Sequence, residues 1–381
     1  MKKLLLLSAS ASLLSSAAWL QASPLFSVGD NVDVFFDGSS NLRWSSNLFN
    51  DESGEVDDLL LTLTPGFEVD FVRGESNVDL SLLARYDLLR YHDHNEVDTE
   101  LAHVKAKGSY EAARLDLTAS ASFDESQTAS SQGQNLPGQL FESEATRVGL
   151  EGEYQLSPKF SFGAGVNYYD TKYVSANTVG AFADREEVSV PVDVYYELTP
   201  KLDLSLGYSR VEAEVGAAGS AAYDQVTNFY SLGARGELLP KLSGFLKLGY
   251  RENEFTNKGM FGADLDFSYA VTQKLNSSLA LSRDFGVGGA GDSTENSSIK
   301  LRADYSIDEQ YSVSANLGYD LRDYQSSDRE DDQYSAGVRL DYVLDENWRL
   351  STGYTYSEND SSLALSSYVN HALNLSASLR Y

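Results

Sequence analysis

A chain of 381 residues carries 57 acidic against 29 basic side chains, a net charge of −28, and no cysteine. That balance argues against a nucleic-acid partner, since phosphate binding wants a basic face, and it leaves no disulfide or thiolate framework to hold the fold. Hydrophobic content is 42% and the mean hydropathy is negative, unlike a helical membrane protein but compatible with a membrane barrel, where every second strand residue faces a wet lumen.

From the N-terminus, residues 1–22 read as a secretory signal. Lys2 and Lys3 give a basic start, Leu4–Leu7 and the Ala/Ser/Leu run to Leu20 a short apolar core, and Ala22 a small residue at the cleavage point. No later stretch holds 18 apolar residues, so residues 23–381 are expected to form one domain without a membrane-spanning helix.

That domain alternates apolar and polar residues at period two. Leu59, Leu61, Leu63, Phe67, Val69 and Phe71 form one stripe, and Val188, Val190, Val192, Val194, Tyr196 and Leu198 another. Strands are predicted at 31–45, 59–71, 77–90, 99–110, 114–124, 145–156, 160–170, 187–198, 202–212, 227–238, 242–253, 260–271, 275–285, 296–307, 311–322, 333–344, 348–357 and 369–381. Their even number, eighteen, returns both chain ends to the periplasmic side, as in bacterial single-chain barrels. Pro65 and Pro191 fall inside strands, where a missing ladder donor predicts a bulge or a local loss of pairing.

The connections alternate short and long. The short ones repeat one chemistry: Ser157-Pro158-Lys159, Thr199-Pro200-Lys201, Leu239-Pro240-Lys241, Thr272-Gln273-Lys274, Asp308-Glu309-Gln310 and Asp345-Glu346-Asn347. Proline and small polar residues suit tight turns, so this is an internal hairpin repeat. The long ones, such as Glu125–Ser143, Thr171–Glu186 and Arg322–Asp332, are rich in Gly, Ser, Asp, Asn and Glu. Short periplasmic turns and long outer loops are the signature of a transmembrane barrel. Glu125–Ser143, the longest outer loop, is expected to cover the outer mouth; an inward fold of Gly133–Gly138 is the alternative, by analogy with general porins.

Tyrosines mark both ends of the apolar stripe: Tyr154, Tyr196, Tyr269, Tyr305, Tyr342 and Tyr381 near the short turns, and Tyr168, Tyr208, Tyr250, Tyr319 and Tyr354 near the long loops. Two aromatic girdles suit two membrane interfaces. A soluble sandwich is the rival fold; the terminal aromatic strand and the uneven loops argue against it. The predicted architecture is therefore all-β, a single transmembrane antiparallel β-barrel.

The opposite register carries charge of both signs. The candidate pore-lining residues are Lys105, Arg147, Glu151, Arg235, Lys247, Asp264, Arg302, Asp304, Arg339 and Asp341. On the lipid side a charge would cost about 2–4 kcal/mol at mid-membrane, so their register points inward, where charges tune selectivity. Glycines on the same face, among them Gly207, Gly318 and Gly337, are expected to leave an open lumen. Chemistry is otherwise sparse. His92 and His94 form an H-x-H pair in an acidic loop, a pattern that binds transition metals but more often is only a solvated loop. The acidic clusters Asp51–Asp58 and Asp328–Asp332 are expected to be solvated, with divalent-cation binding as the sharper reading. No cofactor fingerprint, metal set or catalytic constellation stands out, so an enzyme is not expected.

Ser46-Asn47-Leu48-Phe49 in an acidic loop, followed by Leu61-Thr62-Leu63-Thr64-Pro65-Gly66-Phe67, resembles the Putative beta-barrel porin 2 group, as do the hairpin repeat and the aromatic C-terminus. Tyr381 ends the chain where many such barrels have Phe, the residue the assembly machinery recognises. The resemblance implies the cell outer membrane, a pore role sometimes linked to exopolysaccharide export, and no catalytic residue. The expected function is a porin-like channel for small hydrophilic solutes, with a structural component of polysaccharide export as the alternative. Expected partners are outer-membrane lipid, lipopolysaccharide and the barrel-assembly machinery, with a homo-oligomer as a further arrangement. No cofactor is expected.

Overall fold

The structure is a computed structural model and describes residues 23–29, 31–71, 77–175, 181–216 and 223–381. The signal segment expected at 1–22 lies outside these residues. The strands in chain order are β1 (Phe26–Val28), β2 (Val32–Ser45), β3 (Asp58–Thr64), β4 (Gly66–Phe71), β5 (Val78–Tyr91), β6 (Thr99–Glu111), β7 (Leu115–Thr128), β8 (Ser130–Ser131), β9 (Gln134–Asn135), β10 (Phe141–Ser157) and β11 (Phe160–Tyr173). There follow β12 (Arg185–Thr199), β13 (Leu202–Val215), β14 (Tyr223–Leu239), β15 (Leu242–Asn253), β16 (Lys258–Ala270), β17 (Leu275–Val287), β18 (Ser293–Ser306), β19 (Tyr311–Tyr324), β20 (Glu330–Val343), β21 (Trp348–Ser361) and β22 (Tyr368–Arg380).

Each long strand pairs antiparallel with its sequence neighbours, and β2 also pairs with β22, from Asp37 opposite Arg380 to Ser45 opposite Ala372. The sheet therefore closes. With β3 and β4 counted as one interrupted strand, the barrel has eighteen staves, as predicted. Closure pairs the first stave with the last and leaves no free edge, which lipid would not tolerate. β1 folds back along the foot of β2, and β8 with β9 forms a small hairpin within the longest loop.

Both prolines act as expected. Pro65 separates β3 from β4: β2 pairs Phe36 with Phe67, then resumes at Ser39 with Thr64, so Asp37 and Gly38 have no partner on that side. Pro191 pairs with Ser209 of β13, but the ladder to β11 lapses between Ala164–Val192 and Asn167–Ser189. The short-turn repeat also has a physical basis. In four of the six turns the first side chain caps two amides of its own backbone, Thr199 caps one, and Leu239 has no group to do so. Ser157 Oγ accepts from the amides of Lys159 and Phe160, Thr272 Oγ1 from Lys274 and Leu275, Asp308 Oδ1 from Gln310 and Tyr311, and Asp345 Oδ1 from Asn347 and Trp348, at 2.7–3.3 Å.

Burial is inverted relative to a soluble protein. Leu206, Leu232 and Leu375 are 59–67% exposed, while Asp193, Asp203 and Ser205 on the opposite register are buried. In water each such leucine would forgo about 1.5–3 kcal/mol of burial, so this face belongs against lipid tails. Aromatic rings stack across strands at both ends of the band. Tyr311 and Tyr342 meet at 4.7 Å near the turns, and Tyr208–Tyr230 and Tyr319–Tyr334 at 5.2 Å near the loops. Tyr311 and Tyr319 are eight residues apart on β19. At a rise of about 3.4 Å on a strand tilted by about 40°, they stand about 21 Å apart in depth, close to the ~25 Å of a barrel's apolar band.

Candidate functional site: the lumen wall and its mouth

All ten candidate pore-lining residues stand on the register opposite the exposed aliphatic side chains. They do not converge on one point. They form separate ion-paired groups around the wall. Arg147 Nη1 lies 3.1 Å from Asp124, Lys105 Nζ lies 3.8 Å from the same carboxylate, and His103 joins them by bridging Asp124 and Asp87, each at 3.3 Å. Glu151 accepts from the Asn167 amide at 3.3 Å. Lys247 reaches Asp193 at 2.8 Å, and Asp264 is held by Arg251 at 2.6 Å. Arg302 with Asp304, and Arg339 with Asp341, pair two residues apart along their own strands.

Arg235 has the strongest setting. Its guanidinium meets both Glu153 oxygens at 2.7 and 2.8 Å and Asp203 at 3.2 Å, and it stacks 3.4 Å over the Tyr195 ring. Glu153 lies on β10 and Arg235 on β14, four staves away, so this contact reaches across the curve of the wall and narrows the turn end of the lumen. The glycines do less to open the lumen than expected. A Cβ on Gly207 would strike Asp193 Oδ1 at 2.5 Å, and one on Gly337 would meet Asn316 Oδ1 at 2.6 Å. Their missing side chains admit neighbouring polar groups to the wall and do not leave it bare.

At the other end the longest loop covers the mouth, as expected. It leaves β7 and returns on β10, the fifth and sixth staves. The turn between β8 and β9 reaches the far side, near the fourteenth to sixteenth. There the Gln132 carbonyl accepts from the Gly289 amide at 3.0 Å and the Tyr324 hydroxyl at 3.4 Å; Gln132 Oε1 accepts from Arg322 at 3.3 Å, and the Gly133 carbonyl accepts from Arg329. Asn135, buried, donates to the carbonyls of Asn50 and Leu365 at 3.2 Å, tying this strap to two further loops. Gly133 sits at φ +78°, and a Cβ there would lie 2.6 Å from both Arg322 Nη1 and Asp331 Oδ2. Only glycine fits that approach.

The sequence reading missed several of these groups. Arg251 shares the inward register with Lys247 and holds Asp264. Asp331, in the acidic run Asp328–Asp332 expected to be solvated, is 1% exposed: Arg329 grips it at 2.8 Å, and the Tyr324 hydroxyl donates to it at 3.0 Å. Asp51 accepts from the Gly138 amide. Asp58 accepts from the amides of Leu59, His92, Asp93 and His94, and lies 2.8 Å from His94 Nδ1. That contact makes His94 part of a loop anchor, while His92 remains at the surface. Among the described residues no group of three His, Cys, Asp or Glu side chains is set to hold a metal ion.

A closed antiparallel barrel, apolar outside, charged within and covered by the loop between β7 and β10, is a porin-like barrel. Residues 284–381 match the family described as Putative beta-barrel porin 2. The resemblance to that group is thus borne out over the stretch that holds the last hairpin repeats and the aromatic C-terminus; the motifs at Ser46–Phe49 and Leu61–Phe67 lie outside the match. No curated protein matches in sequence. Among solved structures, the chain is similar to the outer membrane protein opdK from Pseudomonas aeruginosa, at 12% identity and a TM-score of 0.48, covering 92% of this chain and 99% of that one. It is also similar to OccAB3 of Acinetobacter baumannii, at 10% identity and 0.47 over 93% and 100%. The outer membrane channel DcaP of the same organism gives 10% and 0.48 over 94% and 100%.

Proposed function

We propose that this chain is an outer-membrane channel for the passive diffusion of small hydrophilic solutes. The observation that carries the reading is the inverted wall: an aliphatic, tyrosine-edged exterior around an interior of paired charges, amides and hydroxyls. Eighteen staves span on the order of 35 Å between backbones, wide enough for a water-filled passage among the side chains. The ten inward charges line it. Because most are paired, they set a mixed-sign surface that favours neither strong anion nor strong cation selection. In this reading residues 1–22 direct export, the short turns face the periplasm, and lipopolysaccharide packs around the outer girdle. The closing strand, whose Tyr381 amide donates to the Phe36 carbonyl at 2.9 Å, presents the assembly signal.

The test is reconstitution of the purified barrel in planar lipid bilayers. Stepwise, ohmic conductance supports the channel. A barrel that inserts, shows heat-modifiable migration and never conducts refutes it.

A further inference from the structure

One stretch of the wall is built differently from the ion-paired remainder. Strand register sets Ser282, Ser298, Asp320, Gln333 and Asn359 side by side across β17–β21, a shelf of five staves about 19 Å wide. The row above it runs Asp284, Asn296, Arg322, Asp331 and Ser361. The strap roofs the shelf with Ser130, Gln132 and Asn135. Two adjoining cavities of about 210 and 300 Å³ result, sharing Arg322, Gln333 and Asn359 in their walls.

The carboxylates there are held, Asp331 by Arg329 at 2.8 Å and Asp320 by Lys300 at 3.8 Å, whereas the Arg322 guanidinium meets a neutral group, Gln132 Oε1, at 3.3 Å. Two buried polar atoms in the cavity walls stand apart. Arg322 Nε, a donor, and Asn296 Oδ1, an acceptor, have no hydrogen-bond partner. An orphaned buried group is costly, so a bound molecule that supplies both partners is favoured. A carboxylate would satisfy Arg322 and repel the amide oxygen, and an ammonium would do the reverse. A hydroxyl both donates and accepts, and so do the surrounding amides and serines.

We propose that the shelf is a binding subsite for a small neutral, hydroxyl-rich solute, a sugar or polyol of one or two rings, held under the strap before it enters the lumen. The proposal rests on the channel reading and names the solute class for it.

Single-channel current is recorded while sucrose is added on the loop side, with a size-matched ethylene glycol oligomer and glucuronate as comparison probes. Saturable block by sucrose is expected, with at least tenfold weaker block by both comparison probes. Asn296→Ala and, separately, Gln333→Ala should weaken sucrose block at least tenfold while unblocked conductance stays within a factor of two. Heat-modifiable migration reports that each variant has folded. Sucrose no more effective than the glycol, tighter block by glucuronate, or folded variants that bind as well as the parent would overturn the subsite. A barrel that never conducts defeats the channel reading alone. Calorimetric titration of the detergent-solubilised barrel with sucrose then decides the subsite, saturable heat supporting it and its absence overturning it.

Discussion

Replacing Gly133 by valine tests whether the strap governs passage through the mouth. The position is held at φ +78°, which a β-branched residue rarely adopts, and the new Cβ would lie 2.6 Å from Arg322 Nη1 and Asp331 Oδ2. Ordinary contact needs nearly 1 Å more, and Asp331 is itself pinned by Arg329, Tyr324 and Ser361, so the wall has little room to give. The strap tip must lift. It then gives up four contacts with the far wall: those from Gly289 and Tyr324 to the Gln132 carbonyl, from Arg322 to Gln132 Oε1, and from Arg329 to the Gly133 carbonyl. At about 1 kcal/mol for each good bond and less for the two long ones, the loss is about 3 kcal/mol. That shifts the balance between seated and lifted strap by roughly a hundredfold. Single-channel recordings in planar bilayers should show a larger main conductance, or frequent excursions to one, while the barrel's thermal transition hardly moves because the strap is not part of the ladder. Parental conductance and parental gating in a folded Gly133→Val barrel would refute the reasoning.

Arg235→Ala leaves Glu153 and Asp203 facing each other without their cation. A loss of about 2–3 kcal/mol is expected, below the 3–5 of a dry buried pair because lumen water screens the orphaned acids. Urea unfolding should show it, along with a reversal potential shifted towards cations under a salt gradient. An unchanged midpoint with an unchanged reversal potential would contradict it. Asp345→Ala removes two amide caps from one turn and should cost about 1 kcal/mol in the same assay, with Asp345→Asn recovering most of it. Leu206→Arg places a charge on the lipid face and should cost about 2–4 kcal/mol, whereas Ser209→Arg, at a half-buried position on the lumen face of the same strand, should cost far less and lower conductance. Equal effects of the last two would mean that the register assignment is wrong.

The barrel was legible in the sequence because lipid imposes period two on every stave, and β15 begins and ends at the predicted residues. Where that pressure stops, the signal fades. β7 runs on to Thr128, β10 starts at Phe141 and β21 reaches Ser361, several residues beyond their predicted limits on the loop side. There Ser, Glu and Asp occupy both faces. Backbone pairing continues, but no apolar stripe records it. The inward register of Arg235 and Lys247 could be read from their aliphatic neighbours. Their partners could not, because Glu153 and Asp193 approach only through the curvature of the closed wall. The strap's anchorage on the far wall was hidden for a similar reason. Gln132 and Gly133 are unremarkable in a polar loop, and what fixes them, Arg322, Tyr324 and Arg329, lies about 190 residues later in a second polar stretch.

The self-capped turn has a bearing on how such a chain comes to its size. Five of the six repeated turns carry their own stop signal in the residue that opens them, so much of the folding instruction is local to a unit of some 33 to 42 residues. Duplicating or losing one unit would leave the remaining turns intact and change the girth by two staves in eighteen, about one-ninth. Bore is then a variable that descent can step up or down by whole hairpins, while the crosswise ion pairs and the strap, which depend on a fixed span, must be refitted at each step.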